Sequence, residues 1–418
     1  MGASEPEGRR SRLRDLLVLG YSHAGQHAYV AGLGIAVPFV VSAFHVSYAL
    51  VGVLLALATM TGSLWQVLAA VVRRTSSRIL LVGQDLGSAS GALLGAVAPG
   101  MGLFFLGRLV QAWSTWPQHP IGAAYLSRRH PCRRGSVLAW HVTAGNLGTL
   151  VAPLAVTTVI AAGGWRLGFW LLAALLASTA LVVAVGLPAT RAPAPVPAEA
   201  TGGVLASLGG AWSSFAALVR QRPVAALLVA GSVAAGGQGI GILSLYLPSY
   251  LHTGLHFGAF DLGATMTVVY AGAVAGPVVM GSLSDRFGHR PVLLVNYLLG
   301  SAALLGVLGA GSAVTAVAGV GLAVGIFSYS ELSLRQTLFA DYLPGDAQRT
   351  GFGLFFAVSQ SIGAAWVAVV GVLVTDVGFR AAFVLMAATF ATAAVVVAAG
   401  TRAPGHPRLR RRRLRRRS

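Results

Sequence analysis

Long apolar runs of about 20 residues recur along this chain, divided by short polar or glycine- and proline-bearing breaks. Strand-like alternation is absent. A helix rises about 1.5 Å per residue, so about 20 apolar residues match the roughly 30 Å hydrocarbon core of a bilayer. The pattern predicts about twelve membrane-spanning helices, over 15–41, 47–72, 79–98, 101–126, 135–161, 166–188, 223–250, 260–283, 290–310, 312–341, 349–374 and 379–400. Pro99-Gly100, Gly163-Gly164, Gly311-Ser312 and Pro344-Gly345 punctuate them.

Composition removes the soluble alternatives. Hydrophobic residues make up 56% of the 418 positions, charged residues 10%, and the mean hydropathy is +0.74. So little polar surface cannot coat a water-soluble domain of this size. In lipid, only helices or closed barrels satisfy every backbone group, and the missing alternation decides for helices. The expected fold class is an all-α membrane protein.

Charge then orients the spans. All 30 basic residues are arginine, and the net charge is +19. Arginines follow the even-numbered spans, as with Arg73, Arg74 and Arg78, or Arg128, Arg129, Arg133 and Arg134. More precede the first span and fill the tail, whereas the opposite loops hold only Arg166 and Arg380 at helix starts. This asymmetry places both termini in the cytoplasm. The basic tail is explained by attraction to anionic lipid, so no nucleic-acid partner is expected. All-arginine usage suggests a GC-rich bacterial genome, hence the bacterial cytoplasmic (inner) membrane.

The chain also repeats itself. Arg134-Gly135, Asn146-Leu-Gly148 and Gly164-Trp-Arg-Leu-Gly-Phe169 recur as Arg349-Thr350, Ser361-Ile-Gly363 and Gly378-Phe-Arg-Ala-Ala-Phe383, about 215 residues later. Two six-helix halves follow: a cytoplasmic segment over 1–14, a bundle over 15–188, and a linker over 189–222 with an interfacial helix at 203–220. A second bundle covers 223–400 and a basic cytoplasmic tail 401–418.

Between the eighth and ninth spans lies Gly281-Ser-Leu-Ser-Asp-Arg-Phe-Gly-His-Arg290, read as a charged loop turning a tight corner at its glycines. It resembles the signature loop of major facilitator superfamily transporters, and the resemblance extends over nearly the whole chain. It implies two pseudo-symmetric bundles with a substrate site between them near the midplane. By the same resemblance Gly281, Asp285, Arg286, Gly288 and Arg290 form a cytoplasmic gate, with Asp285 meeting an arginine or a helix end. Asp341 and Arg349 are candidates to close it. The first-half counterpart, Gln66 to Arg78, keeps only its arginines. Faintly, the stretch from His23 to Gln66, with Phe44-His-Val-Ser-Tyr-Ala-Leu-Val-Gly52, is similar to fosmidomycin-resistance-type exporters.

Polar residues inside apolar spans are costly and tend to face a cavity. Arg108, Gln111, Thr115 and His119 recur at helical spacing in the fourth span, flanked by Trp113 and Trp116 and bent near Pro117. Ser328, Glu331 and Arg335 share a face of the tenth, His23, Gln26 and His27 one of the first, and the seventh offers Gln238. These are the spans that line the central cavity in the superfamily. His141, Gly145, Gly148 and Ala152 read as a packing seam. Asp85 reads as a partner for cytoplasmic-side arginines.

Cys132 is the sole cysteine, so no internal disulfide or Cys-x-x-Cys metal site exists, and neither a metal nor a cofactor is expected. No phosphate-binding loop or hydrolase motif is present. The expected activity is therefore gradient-driven transport, not catalysis, by a chain acting as a monomer. Glu331 and His119 are the candidate proton carriers. Proton-coupled efflux of an amphipathic, drug-like molecule is the first expectation. Uptake of an organic anion held by Arg108 and Arg335 is the second, and a non-transporting receptor a remote third.

Overall fold

The computed structural model describes residues 5–65, 75–188, 216–343 and 348–402; a few side chains within those ranges, Arg349 included, lie outside the description. Most of the interfacial helix (203–215), most of the first-half counterpart of the signature loop and nearly all of the basic tail fall outside it too. Among the described residues there is no strand.

Thirteen α-helices carry the fold among the described residues. They are α1 (Glu5–Phe44), α2 (Tyr48–Leu64), α3 (Ser77–Ala96), α4 (Met101–Ser114), α5 (Gln118–Arg129), α6 (Arg134–Gly186) and α7 (Arg222–Ala234). A 3-10 turn (Ala235–Gly237) and a π segment (Gly239–Leu243) lead into α8 (Ser244–Ser249), and a second π segment spans Tyr250–Gly254. Then follow α9 (Ala259–Phe287), α10 (His289–Gly309), α11 (Val314–Tyr342), α12 (Gln348–Asp376) and α13 (Phe379–Gly400).

Local chemistry explains several boundaries. Ser47 and Ser76 cap α2 and α3 by accepting the amides of Leu50 and Ile79 at 3.2 and 3.3 Å. Within α6 the chain breaks at Gly163 and Gly164, the second at φ 79°, so this element is two helices joined at a corner. Gly288, at φ 98°, separates α9 from α10.

Eight helices are long and apolar enough to cross a membrane among the described residues. That is fewer than the twelve expected, for visible reasons. The double helix α6 counts once, the second span runs into residues outside the description, the fourth is broken into α4 and α5, and α12 contributes only the shorter apolar stretch Ser361–Asp376. The chain is nonetheless a multi-pass membrane protein.

Two compact units form, Met1–Ala198 with Ser244–Thr267, and Glu199–Leu243 with Val268–Ser418. Within the first unit α1 packs along α6, and α3 against both α4 and α6. The stretch 244–267 lies with this unit, through α8 against α1 and the Tyr48 hydroxyl 3.0 Å from that of Thr253. Within the second, α10, α11, α13 and α7 pack together.

Candidate functional site

Each unit buries its own polar constellation. In the first, α1 presents two adjacent pairs of polar residues one turn apart, and the pairs diverge. Ser22 Oγ and Gln26 Nε2 both donate to the carboxylate of Asp85 on α3 at 2.8 Å, and Gln84 Nε2 donates to it at 2.9 Å. Gln84 also donates to Gln118 on α5, and Ser88 donates to Gln26 at 3.3 Å. Asp85, Gln84, Ser88, Ser22 and Gln118 are buried, and no basic group among the described residues lies within ion-pair distance of Asp85. Among the described residues the partners of Asp85 are neutral donors, not the arginines expected from the sequence.

The other pair, His23 and His27, turns toward His119 at the start of α5. Ring centroids lie 4.6 Å apart for His23 and His27 and 5.2 Å for His23 and His119. His141, expected in a packing seam, stacks on His23 at 4.2 Å.

The polar stripe foreseen along the fourth span does not persist, because α4 ends at Ser114 and α5 begins at Gln118, just past Pro117. Arg108 donates to Gln111 and, at 3.4 Å, to Thr59. No carboxylate among the described residues pairs with it, and its Nε is buried without a partner. Thr115 turns back to the carbonyl of Ala112 at 3.0 Å. Trp113 donates to Thr61 at 2.9 Å and tilts against Trp65 at 6.0 Å. A groove of about 420 Å³, open to the surface, is lined by Trp65, Trp113 and Trp116 together with Ile79, Leu80 and Val110 and the polar Gln84 and Ser114. Arg108 is not in its wall.

In the second unit Glu331 is the hub. Arg335 Nε donates to it at 2.6 Å, the Tyr297 hydroxyl at 2.8 Å and Gln238 Nε2 at 3.2 Å. The Arg335 guanidinium also donates to Ser359 and lies 4.4 Å over the Phe355 ring. With 1% exposure the guanidinium is sealed among these partners. Ser328 on the same helix is buried, its hydroxyl without a partner.

The signature motif is mostly helix, not loop: α9 continues through Phe287, and Gly288 alone makes the corner. Among the described side chains Asp285 meets a histidine and not an arginine. His289 Nε2 lies 3.6 Å from Asp285 and its Nδ1 2.7 Å from Asp341. Arg290 donates to Thr401 at 3.0 Å and the Ala398 carbonyl at 2.9 Å, tying α10 to the end of α13. Arg286 rests 5.2 Å over Phe287. At the equivalent end of the first unit, Arg129 and Tyr125 donate to the buried Asp15 at 2.7 and 2.9 Å. Sequence reasoning missed Asp15, Tyr297, Ser359 and the Ser22–Gln84–Gln118 network. Ser22 and Gln26, four apart inside an apolar run, were the available signal.

A polytopic helical fold with polar clusters buried in its spans is the architecture of a multi-pass membrane protein. The chain belongs to the major facilitator superfamily, whose family model matches residues 22–367 and 237–418. It is 29% identical over 199 residues to the "Probable 4-methylmuconolactone transporter" of Cupriavidus pinatubonensis, covering 44% of each chain. Against the "Multidrug resistance protein B homolog" of Mycobacterium tuberculosis the identity is 27% over 303 residues, 62% of this chain and 55% of that protein. The chain thus spans about half the length of the curated relatives it matches. Among solved structures, the nucleoside transporter NupG superposes with a TM-score of 0.73 over 93% of this chain and 98% of that one, at 14% identity. The peptide transporter POT in complex with sulfate gives 0.72 over 94% and 96%, at 16% identity. At such identities the likeness speaks for the fold alone.

Proposed function

We propose that this chain exports an amphipathic, drug-like molecule across a bacterial cytoplasmic membrane, driven by protons and working by alternating access. The observation carrying export of such a molecule is the tryptophan-walled groove of the first unit. Its volume of about 420 Å³ falls within the range of small-molecule pockets, which are mostly apolar and aromatic with few polar groups. A relative named for multidrug resistance points the same way. Arginine asymmetry supports two cytoplasmic termini.

Coupling is assigned first to Asp85. A carboxylate inside a span is retained for a reason. Protonating Asp85 breaks no ion pair, whereas protonating Glu331 breaks its pair with Arg335. Glu331 and His119 stand behind it as carriers.

Arg108 favours a second reading, proton-coupled uptake of an organic anion. A guanidinium in a span with only neutral partners, as Gln111 and Thr59 are for Arg108, can exchange them for a carboxylate or phosphate, and one relative is named as a 4-methylmuconolactone transporter. Proteoliposomes with an imposed pH gradient test both readings. Export predicts that amphipathic cations dissipate the gradient and accumulate on its acidic side. Accumulation of carboxylates alone would replace export with uptake, and no gradient response to either panel would remove proton coupling.

A further inference from the structure

We propose that His23, His27 and His119 form a binding site for a divalent first-row transition-metal ion of the zinc class. Their ring nitrogens lie within 4.8 Å of one another, on the two helices α1 and α5 of a single unit. Zinc–nitrogen bonds of about 2.0–2.1 Å in tetrahedral geometry set ligand nitrogens about 3.4 Å apart. Small rotations of the rings close the difference.

Hydrogen bonding already selects the tautomers. His23 Nδ1 lies 2.8 Å from the carbonyl oxygen of His141. A carbonyl only accepts, so Nδ1 carries the proton and Nε2 the lone pair. That Nε2 is buried, has no partner, and belongs to a side chain 1% exposed. His27 Nδ1 lies 3.1 Å from the hydroxyl of Thr149, which donates onward to the Gly145 carbonyl at 3.5 Å. The hydroxyl therefore accepts from His27, leaving His27 Nε2 a lone pair as well. An imidazole whose far N–H is bound to a carbonyl or hydroxyl oxygen has the orientation and basicity of a metal ligand. Gly145 makes the space, since a Cβ there would sit 2.9 Å from His23 Cε1.

The surroundings fit a borderline cation better than a proton alone. One proton satisfies one imidazole, whereas one metal ion engages all three rings, each of which offers a nitrogen within 4.8 Å of the other two. All-nitrogen ligation selects zinc, nickel or cobalt over magnesium or calcium, which take oxygen. His119 is exposed and leaves a side open for entry and for a fourth ligand. Ser22 and Gln118, chain neighbours of His23 and His119, belong to the hydrogen-bonded network around the Asp85 carboxylate. This inference is independent of the substrate reading above.

The test uses full-length protein purified through a histidine-free tag, stripped with chelator, and titrated with Zn²⁺, Co²⁺ and Mg²⁺ by calorimetry and thermal unfolding. One equivalent of Zn²⁺ per chain is expected to bind and raise the unfolding temperature. His119→Asn, at an exposed position, is expected to unfold like the parent without metal yet lose affinity on the order of tenfold or more. His256→Asn, outside the cluster, should bind as the parent does. No binding at about 1 mM Zn²⁺, equal affinity in His119→Asn, or equal stabilisation by Mg²⁺ would each overturn the site.

Discussion

Glu331 and Arg335 stand one turn apart on α11, with the guanidinium Nε donating to the carboxylate across 2.6 Å and both side chains shut away from solvent. Tyr297 and Gln238 also donate to the carboxylate, and Ser359 and Phe355 engage the guanidinium. The pair knits α10, α11, α12 and the segment after α7 into one unit.

Removing one partner of such a pair leaves the other charge buried and uncompensated, which costs about 3–5 kcal/mol. Glu331→Gln is therefore expected to lower thermal stability strongly, while Glu331→Gln with Arg335→Gln recovers most of the loss. Unfolding of the purified variants in detergent measures both. A Glu331→Gln protein as stable as the parent would show that the pair contributes little and would reopen Glu331 as a freely titrating carrier.

The two glycines of the signature motif separate cleanly. Gly288 sits at φ 98°, where an L side chain is strained, whereas nothing lies within 4 Å of a Cβ added to the helical Gly281. Gly288→Ala should cost about 1–3 kcal/mol, and Gly281→Ala should be neutral or gain up to about 1 kcal/mol from reduced backbone entropy. Equal effects in thermal unfolding would contradict the corner assigned to Gly288.

Much of the architecture was legible because lipid imposes it. A bilayer admits helices of set length, so apolar runs mark spans and Gly163-Gly164 marks a corner. The Glu331–Arg335 pair was legible because both residues sit on one helix at a spacing of four. Contacts between helices were not. Ser22 and His23 are neighbours in sequence yet face different networks, and which one meets Asp85 depends on how α1 rotates against α3. Likewise the stripe from Arg108 to His119 presumes an unbroken helix, and the break before Pro117 sends Arg108 and His119 to different surroundings. His141 looked like packing because its partner, His23, lies 118 residues away in sequence.

Asp85→Asn tests coupling with little change of shape. The amide keeps one acceptor for Ser22, Gln26 and Gln84 but turns a donor toward donors, so a loss on the order of 1–3 kcal/mol accompanies the lost bonds. If Asp85 carries the proton, the variant should exchange substrate across proteoliposome membranes while failing to concentrate it under a pH gradient. A variant that still concentrates substrate moves the carrier to Glu331 or His119.

Arg108 and Trp113 divide the two substrate classes. A guanidinium that anchors an anion does so through a planar fork that lysine does not reproduce. Under uptake, Arg108→Lys should weaken binding by about 1.5–3 kcal/mol, the worth of a charged hydrogen bond. Trp113→Ala should then matter little. Under export the order reverses, because Trp113 and Trp116 line the groove and Arg108 does not. Truncating a ring that packs on ligand removes apolar area at about 25 cal/mol per Å², and Trp116→Ala should behave like Trp113→Ala. Affinities of purified protein for a panel of carboxylates and a panel of hydrophobic cations, read by ligand-induced thermal stabilisation, supply the ranking. Larger losses in the tryptophan variants with cations would support export. Losses confined to Arg108→Lys with carboxylates would make this chain an anion carrier.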